Sequence, residues 1–129
     1  MREAIKGVIK RGLIMVPEVK VQMKTDDEIV EEGEFVLDTS ISYDDVIVDL
    51  KCMGEREGEK STFFAIDSIM GIDAFKYNGF VKIRDHYIWA NVYAVPELKG
   101  PKRIGMSVLN RLGYSKLTVD FEKDTFKLA

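Results

Sequence analysis

The sequence predicts an all-β domain of the small barrel or sandwich type. Apolar and polar residues alternate with period two in several segments, which is the pattern of half-buried strands. These segments follow one another at even spacing with turn residues between them, as in small barrels and sandwiches. Helical spacing is confined to short stretches, so strands greatly outnumber helices.

Length and composition are those of one globular domain. The chain has 129 residues, of which 46% are hydrophobic and 32% are charged, enough for a proper core. No repeat, low-complexity tract or linker divides it, so we assign a single domain to residues 1–129. Residues 1–12 form an extension or strand of uncertain structure, because Ile5 and Val8 have helical spacing that Gly7 weakens.

Charge and cysteine content restrict the partners and the compartment. The formal net charge is −3, so the chain lacks the basic surplus that favours nucleic acid or an anionic membrane. Its apolar runs are too short for a bilayer-spanning helix, and its N-terminus lacks the apolar core of a secretion signal. Cys52 is the single cysteine, which excludes an internal disulfide. We therefore expect a cytoplasmic protein that binds neither nucleic acid nor membrane.

The first half of the chain predicts two strands and a mixed segment. Residues 19–23 alternate apolar and polar side chains, as a half-buried strand does. The acidic stretch 25–33 is predicted to be a solvated turn, and 34–37 a strand that ends at Asp38. Residues 43–53 carry apolar side chains at spacings near three and four, which predicts a short helix or irregular turn.

The middle of the chain predicts a hairpin. Residues 62–66 have strand composition, 67–71 form the tip, and 72–83 are the returning strand. Asn78-Gly79 within the returning strand is either a bulge or a competing tight turn.

The C-terminal part predicts the one clear helix and a final hairpin. After a strand at 87–95 and a loop, Ile104-Gly105 leads into a segment whose apolar residues share one helical face. A glycine follows this helix at its C-cap position. Residues 117–121 and 125–128 flank a charged turn and form the terminal hairpin.

Two distant stretches together carry a family resemblance. Residues 35–42 read Phe-Val-Leu-Asp-Thr-Ser-Ile-Ser, and residues 104–113 read Ile-Gly-Met-Ser-Val-Leu-Asn-Arg-Leu-Gly. In this order and spacing, followed by the final hairpin, they resemble the retropepsin-like aspartic proteases, including their short prokaryotic relatives. The resemblance covers roughly 17–128. It implies a closed barrel with a β-hairpin flap and one short C-terminal helix, in which the Ile104-Gly105 pair crosses behind the strand that ends at Asp38.

The resemblance also implies a function and a site. It implies a homodimeric aspartic endopeptidase without a metal or other cofactor, in which Asp38 of each subunit meets at the two-fold axis and activates water against an extended peptide. The implied catalytic residues are Asp38, Thr39 and Ser40. The implied substrate-binding residues are Asp67, Ser68, Ile69, Met70, Gly71, Ile104 and Gly105. Residues 78–84 also resemble the strand that leaves a retroviral-type flap, so 77–79 is an alternative tip.

Ser40 departs from the family pattern, in which glycine occupies this position. Glycine lets backbone and substrate approach the carboxylate closely. The serine hydroxyl is either an added donor to Asp38 or the mark of a chain that kept the fold and lost the activity. The alternative function is therefore a catalytically silent dimer that binds peptides or serves as a dimerisation module.

Several other residues have competing interpretations. Asp38 alone fits a strand-end aspartate that caps a turn. The aspartates at 44, 45 and 49 fit a solvated face better than a metal cluster. His86 fits a surface position, and Cys52 a small core residue.

Two further groups of residues also have competing interpretations. The aromatic residues that alternate along 87–93 fit core or dimer packing better than base stacking. The basic residues at 99, 102 and 103 fit a plain surface patch better than a site for acidic substrates.

Overall fold

The structure, a computed structural model, describes residues 4–10, 16–38, 45–63 and 71–129. Within them the chain forms ten strands, one α-helix and one 3₁₀ turn. The strands are β1 (Ile5–Lys10), β2 (Val16–Thr25), β3 (Glu28–Asp38), β4 (Asp45–Asp49), β5 (Glu59–Phe63), β6 (Ile72–Ile83), β7 (His86–Val95), β8 (Arg103–Gly105), β9 (Leu117–Asp120) and β10 (Thr125–Leu128). The 3₁₀ turn is Leu50–Met53 and the helix α1 is Met106–Arg111.

Six of the strands close into a barrel. They follow the order β6-β7-β4-β8-β3-β2, and pairing of β2 with β6 completes the ring. Strand β5 extends the sheet from β6, while β1, β10 and β9 continue it beyond β2. The predicted all-β closed barrel with one short C-terminal helix is therefore confirmed.

The barrel interior is an apolar core, and the strands in which apolar and polar residues alternate contribute to it. Val19, Val21 and Met23 all point inward and are buried, as their period-two pattern predicts. Phe35 from β3 and Leu109 from α1 join the same buried cluster. Burial of each such side chain stabilises the fold by about 1.5–3 kcal/mol. Packing of the buried residues of β3 in this core therefore fixes the position of the strand up to its last residue, Asp38.

Strand β3 begins much earlier than the sequence predicts. The acidic stretch 25–33 is not a long solvated turn, because the reversal is completed by Asp26 and Asp27 alone, with φ of 54° and 61°. Two adjacent residues with positive φ form the kind of tight turn that suits a hairpin, and aspartate tolerates that region better than most residues. Glu28 already pairs with Thr25, and the ladder continues from there.

The mixed segment 43–53 is a strand over 45–49 and forms a short helical turn only at its end. Residues 46–48 form the centre of β4, buried between β7 and β8. A fully buried strand lacks the apolar–polar alternation that identifies a strand in a sequence. Only 50–53 turns as a 3₁₀ helix, where the Asp49 side chain accepts from the Lys51 backbone N–H at 3.0 Å and Gly54 forms the C-cap.

Strand β6 runs unbroken through Asn78-Gly79, so neither the bulge nor the tight turn occurs there. Asn78 pairs with Asn91 and Gly79 with Ala90 in continuous register. The alternative hairpin tip at 77–79 is therefore wrong. A Cβ at Gly79 would lie 2.9 Å from the Lys24 carbonyl oxygen, so the glycine is needed where β6 approaches β2.

The chain termini pair with each other beside the barrel. Strand β1 pairs antiparallel with β10, and β10 pairs with β9 as the predicted terminal hairpin. The N-terminal segment, left open by the sequence, is thus a strand from Ile5 to Lys10. No helix within the described ranges has the length and apolar character needed to cross a bilayer.

Candidate active site

The site is built where β8 lies between β3 and β4. Strand β8 runs parallel to β3 and antiparallel to β4. Residues 39–44, which join β3 to β4, lie outside the described residues. Asp38 is the last residue of β3, at the point where the chain leaves the sheet. A carboxylate is therefore delivered to the end of a strand whose preceding residues are fixed in the core.

The two motifs that the sequence predicts to meet do meet. In the parallel register Leu37 is opposite Ile104, and Asp38 is opposite Gly105. The Ile104 side chain is fully buried, and Gly105 is the N-cap of α1 with extended backbone. Ile104 thus fixes β8 in the core, while Gly105 turns the chain into the helix beside the carboxylate.

Arg103 is the charged neighbour of Asp38. Its Nη1 donates to Oδ2 of Asp38 at 3.3 Å. The side chain of Asp38 is 15% exposed and that of Arg103 is 37% exposed, so solvent screens the pair only in part. The arrangement holds the carboxylate in one direction at the rim of the barrel, within reach of water.

A second ion pair fixes the chain just before β8. Nζ of Lys102 lies 3.3 Å from Oε1 of Glu31 and donates to the Glu32 carbonyl at 3.2 Å. The Lys102 carbonyl in turn accepts from the backbone N–H of Val36 at 2.8 Å. Residues 102 and 103 are therefore tied to β3, and the prediction of a plain surface patch is wrong for both.

Sequence reasoning missed the Arg103–Asp38 pair. The basic group was visible, but nothing local links it to a carboxylate that lies far earlier in the chain. The signal was indirect. If Ile104-Gly105 pairs with the end of β3, Arg103 lies on the same face of the sheet as Gly105, because it is two residues earlier in the strand.

Most of the other predicted site residues lie outside the part of the chain that the structure describes. Thr39, Ser40, Asp67, Ser68, Ile69 and Met70 lie outside the described residues. The hairpin that would carry the flap is described up to Phe63 and again from Gly71, and Phe63 pairs with Ile72. The first of the two predicted tips, 67–71, therefore lies outside the described residues except for Gly71.

The remaining candidates have structural surroundings. Oδ2 of Asp49 accepts from the backbone N–H of Leu98 at 3.1 Å, so this carboxylate ties a loop to β4. Within the described ranges no group of His, Cys, Asp and Glu side chains is arranged to hold a metal. His86 is exposed, as predicted. Tyr87 and Trp89 are 48% and 41% exposed, so the expectation of core packing is wrong for them.

Two solved structures resemble the chain over most of its length. One is a retropepsin-like aspartic protease from Rickettsia conorii, with a TM-score of 0.63 and 16% identity over 98% of this chain and 91% of that one. The other is the EIAV protease in complex with an inhibitor, with a TM-score of 0.53 and 17% identity over 86% of this chain and 100% of that one. No family model and no curated protein matches the sequence. The barrel, the β3–β8 pairing at Asp38 and these two likenesses together identify the fold of this chain as retropepsin-like.

Proposed function

We propose that the chain is one subunit of a homodimeric aspartic endopeptidase. The observation that carries the proposal is the pairing of Asp38 with Gly105, at the end of β3, in a retropepsin-like barrel. The Asp-Thr-Ser sequence occurs once in the chain, so a pair of such carboxylates requires two subunits. A two-fold axis beside the end of β3 would bring the two Asp38 side chains together.

The chemistry follows from two carboxyl groups that share one proton. Two adjacent carboxyl groups cannot both be ionised at low cost, because their negative charges repel each other. One group is therefore a carboxylate and the other a carboxylic acid. The carboxylate of one Asp38 takes a proton from water, and the water oxygen attacks the scissile carbonyl carbon. The partner subunit's Asp38 donates its proton to the carbonyl oxygen, and the C–N bond breaks as the amine is protonated.

The supporting residues have distinct roles in this proposal. Thr39 hydrogen-bonds across the axis and holds the two loops, and Ser40 lies beside the carboxylate in the place of a glycine. Ile104 and Gly105 support the loop from below. The β5–β6 hairpin, with Asp67, Ser68, Ile69, Met70 and Gly71 at its tip, closes over an extended peptide and pairs with it as an added strand.

Two features favour a second candidate, the catalytically silent dimer. Oδ2 of Asp38 is already engaged by Arg103, and Ser40 stands where the family pattern has a glycine. In this alternative the subunits still associate, and the groove beneath the hairpin binds peptides without cleaving them.

A peptide-library digest separates the two candidates. Wild type and Asp38→Asn are incubated with the library from acid to neutral pH, and the products are identified by mass spectrometry. The endopeptidase predicts cleavage by the wild type and none by the variant, which keeps nearly the same side-chain shape. Cleavage that survives the substitution would remove Asp38 from the mechanism.

Sedimentation of the same samples tests the assembly. The proposal expects a dimer for both proteins, because the substitution leaves the subunit contacts in place. A folded dimer that cleaves nothing would favour the silent candidate. A strict monomer at high concentration would exclude the symmetric dyad.

A further inference from the structure

Four large apolar side chains are exposed together on the outside of the barrel wall. They are 41–51% exposed, and we call them the aromatic face. The aromatic face consists of Ile29, Phe80, Tyr87 and Trp89. Isolated exposed apolar residues are ordinary, but a contiguous group marks an interaction surface.

The register makes these residues contiguous. Lys24 on β2 is opposite both Ile29 on β3 and Phe80 on β6. Phe80 is in turn opposite Trp89 on β7. One straight row therefore crosses four neighbouring strands, and Tyr87 stands two residues along β7 on the same side of the sheet.

Three cations contact the rings of the aromatic face. Nζ of Lys24 and Nζ of Lys82 each lie 5.2 Å from the centre of the Tyr87 ring. Among the described residues, neither lysine forms an ion pair with a carboxylate. The guanidinium of Arg111 lies 5.9 Å from the Trp89 ring centre and also donates to the Trp89 carbonyl. These cations are held in position by ring contacts.

These features fit an acidic peptide segment. Strands β2 and β6 have paired neighbours on both sides, so a partner on this face is held by side chains and not by added β pairing. Apolar side chains would cover Phe80 and Ile29, and carboxylates would pair with Lys24 and Lys82. We propose that the aromatic face binds acidic peptide segments that carry large apolar side chains.

A single-stranded nucleic acid fits the same surface less well. Stacking of bases requires open ring faces, whereas cations already lie over the rings of Tyr87 and Trp89. A peptide with a few carboxylates meets the local cations without carrying the charge density of a phosphate backbone.

The Ile29 end of the aromatic face lies far from the Asp38 site. Ile29 lies near the start of β3 and Asp38 at its end. At about 3.3 Å per residue the two are separated along the strand by roughly 30 Å. A short peptide centred on Ile29 therefore does not reach the carboxylate, and its binding does not depend on peptidase activity.

Trp89 provides the readout because it is the only tryptophan in the chain. The full chain carrying Asp38→Asn, in which cleavage cannot consume the probe, is titrated with a synthetic peptide that alternates glutamate and leucine. We expect a saturable change in tryptophan fluorescence that weakens as salt is added. A peptide of the same length with lysine in place of glutamate, and an oligothymidylate, are the comparison probes.

Charge reversal at the lysines gives the decisive comparison. Lys24→Glu/Lys82→Glu should weaken binding of the acidic peptide by about tenfold or more. Lys116→Glu/Lys123→Glu makes the same change in net charge at exposed positions outside the aromatic face and should change binding by less than about twofold. Phe80→Ala, which keeps all charges, should also weaken binding several-fold, and circular dichroism checks the fold of each variant.

Three outcomes would overturn the proposal. They are a fluorescence change that does not saturate, equal weakening by the control pair, and equal or tighter binding of the lysine peptide. Tighter binding of the oligothymidylate than of the acidic peptide would replace the acidic peptide by nucleic acid as the ligand. If the double variant fails to fold, Phe80→Ala and the salt dependence decide.

Discussion

Nη1 of Arg103 lies 3.3 Å from Oδ2 of Asp38, and this ion pair joins β8 to the end of β3. The pair spans the contact between the two motifs on which the site depends. It holds the carboxylate of Asp38 in one direction. Arg103 is therefore the residue through which the position of Asp38 is most directly altered.

Arg103→Met should lower both stability and activity. Loss of this partly exposed pair should reduce the free energy of unfolding by about 1 kcal/mol, measured by urea denaturation. If the proposed peptidase is active, a carboxylate that is no longer held in one direction should lower kcat by about tenfold with little change in KM.

Lys102→Met is the matched control for Arg103→Met. It removes the neighbouring ion pair with Glu31 and should reduce stability to a similar extent without the loss of kcat. Higher turnover in Arg103→Met would mean that the ion pair competes with the dyad, contrary to the positioning role.

Gly79→Ala should destabilise the barrel at its closure. The added Cβ would lie 2.9 Å from the Lys24 carbonyl oxygen and 2.9 Å from Cγ2 of Val92. Neither neighbour can move without shifting a strand, so we expect a loss of about 1–3 kcal/mol in the free energy of unfolding. Asn78→Ala, at the exposed neighbouring position in β6, should change it by less than about 0.5 kcal/mol. Equal effects of the two substitutions would show that β2 and β6 are not in close contact at this point.

The sequence predicted several elements from local signals. Alternation at 19–23 identified part of β2, the returning strand predicted at 72–83 has the bounds of β6 without the predicted bulge or turn, and the helix before a C-cap glycine matched α1. These are local signals, since they depend on residues within a few positions of one another. The pairing of Asp38 with Gly105 was predicted from motif order, because no local pattern specifies it.

The parts that sequence reasoning missed depend on contacts between distant segments. Residues 46–48 pair with β7 and β8 within the sheet, and both faces of this strand are buried, Val46 and Val48 in one cluster and Ile47 in another, which removes the alternation. The exposure of Trp89 depends on which face of β7 turns outward, and the alternation of aromatic residues along 87–93 fitted core or dimer packing without specifying that face. Arg103 pairs with Asp38 across the sheet, and its own surroundings in the sequence are those of an ordinary basic loop.

Tyr77→Phe should lower the free energy of unfolding by about the contribution of one hydrogen bond. The Tyr77 side chain is buried, and its hydroxyl donates to the Arg56 carbonyl at 2.7 Å. Removal of the hydroxyl leaves that carbonyl without its donor, so we expect a loss of about 1 kcal/mol in urea denaturation. Tyr87→Phe, which removes an exposed hydroxyl, should change stability by less than about 0.5 kcal/mol. A neutral result for Tyr77→Phe would mean that water replaces the hydroxyl.

The free energy of unfolding should decrease in alkaline solution because of the titration of the Cys52 thiol. Burial, followed by the negative charges of Glu31 and Asp49, raises the pKa of the Cys52 thiol from 9.0 to about 11. Between these two pH values the folded chain binds the proton more tightly than the unfolded chain does, so the free energy of unfolding decreases as the pH rises. Because the side chain is only partly buried, we expect the decrease to be about 1 kcal/mol, well below the full value of the shift.

Cys52→Ala isolates this contribution from the other groups that titrate at high pH. The difference in unfolding free energy between wild type and variant should shift by about 1 kcal/mol against the wild type between pH 9 and pH 11. A difference that stays constant over this range would mean that the thiol titrates alike in the folded and unfolded chains. The reaction with Ellman's reagent gives an independent check, because a thiol held protonated by burial reacts more slowly in the folded protein than in urea.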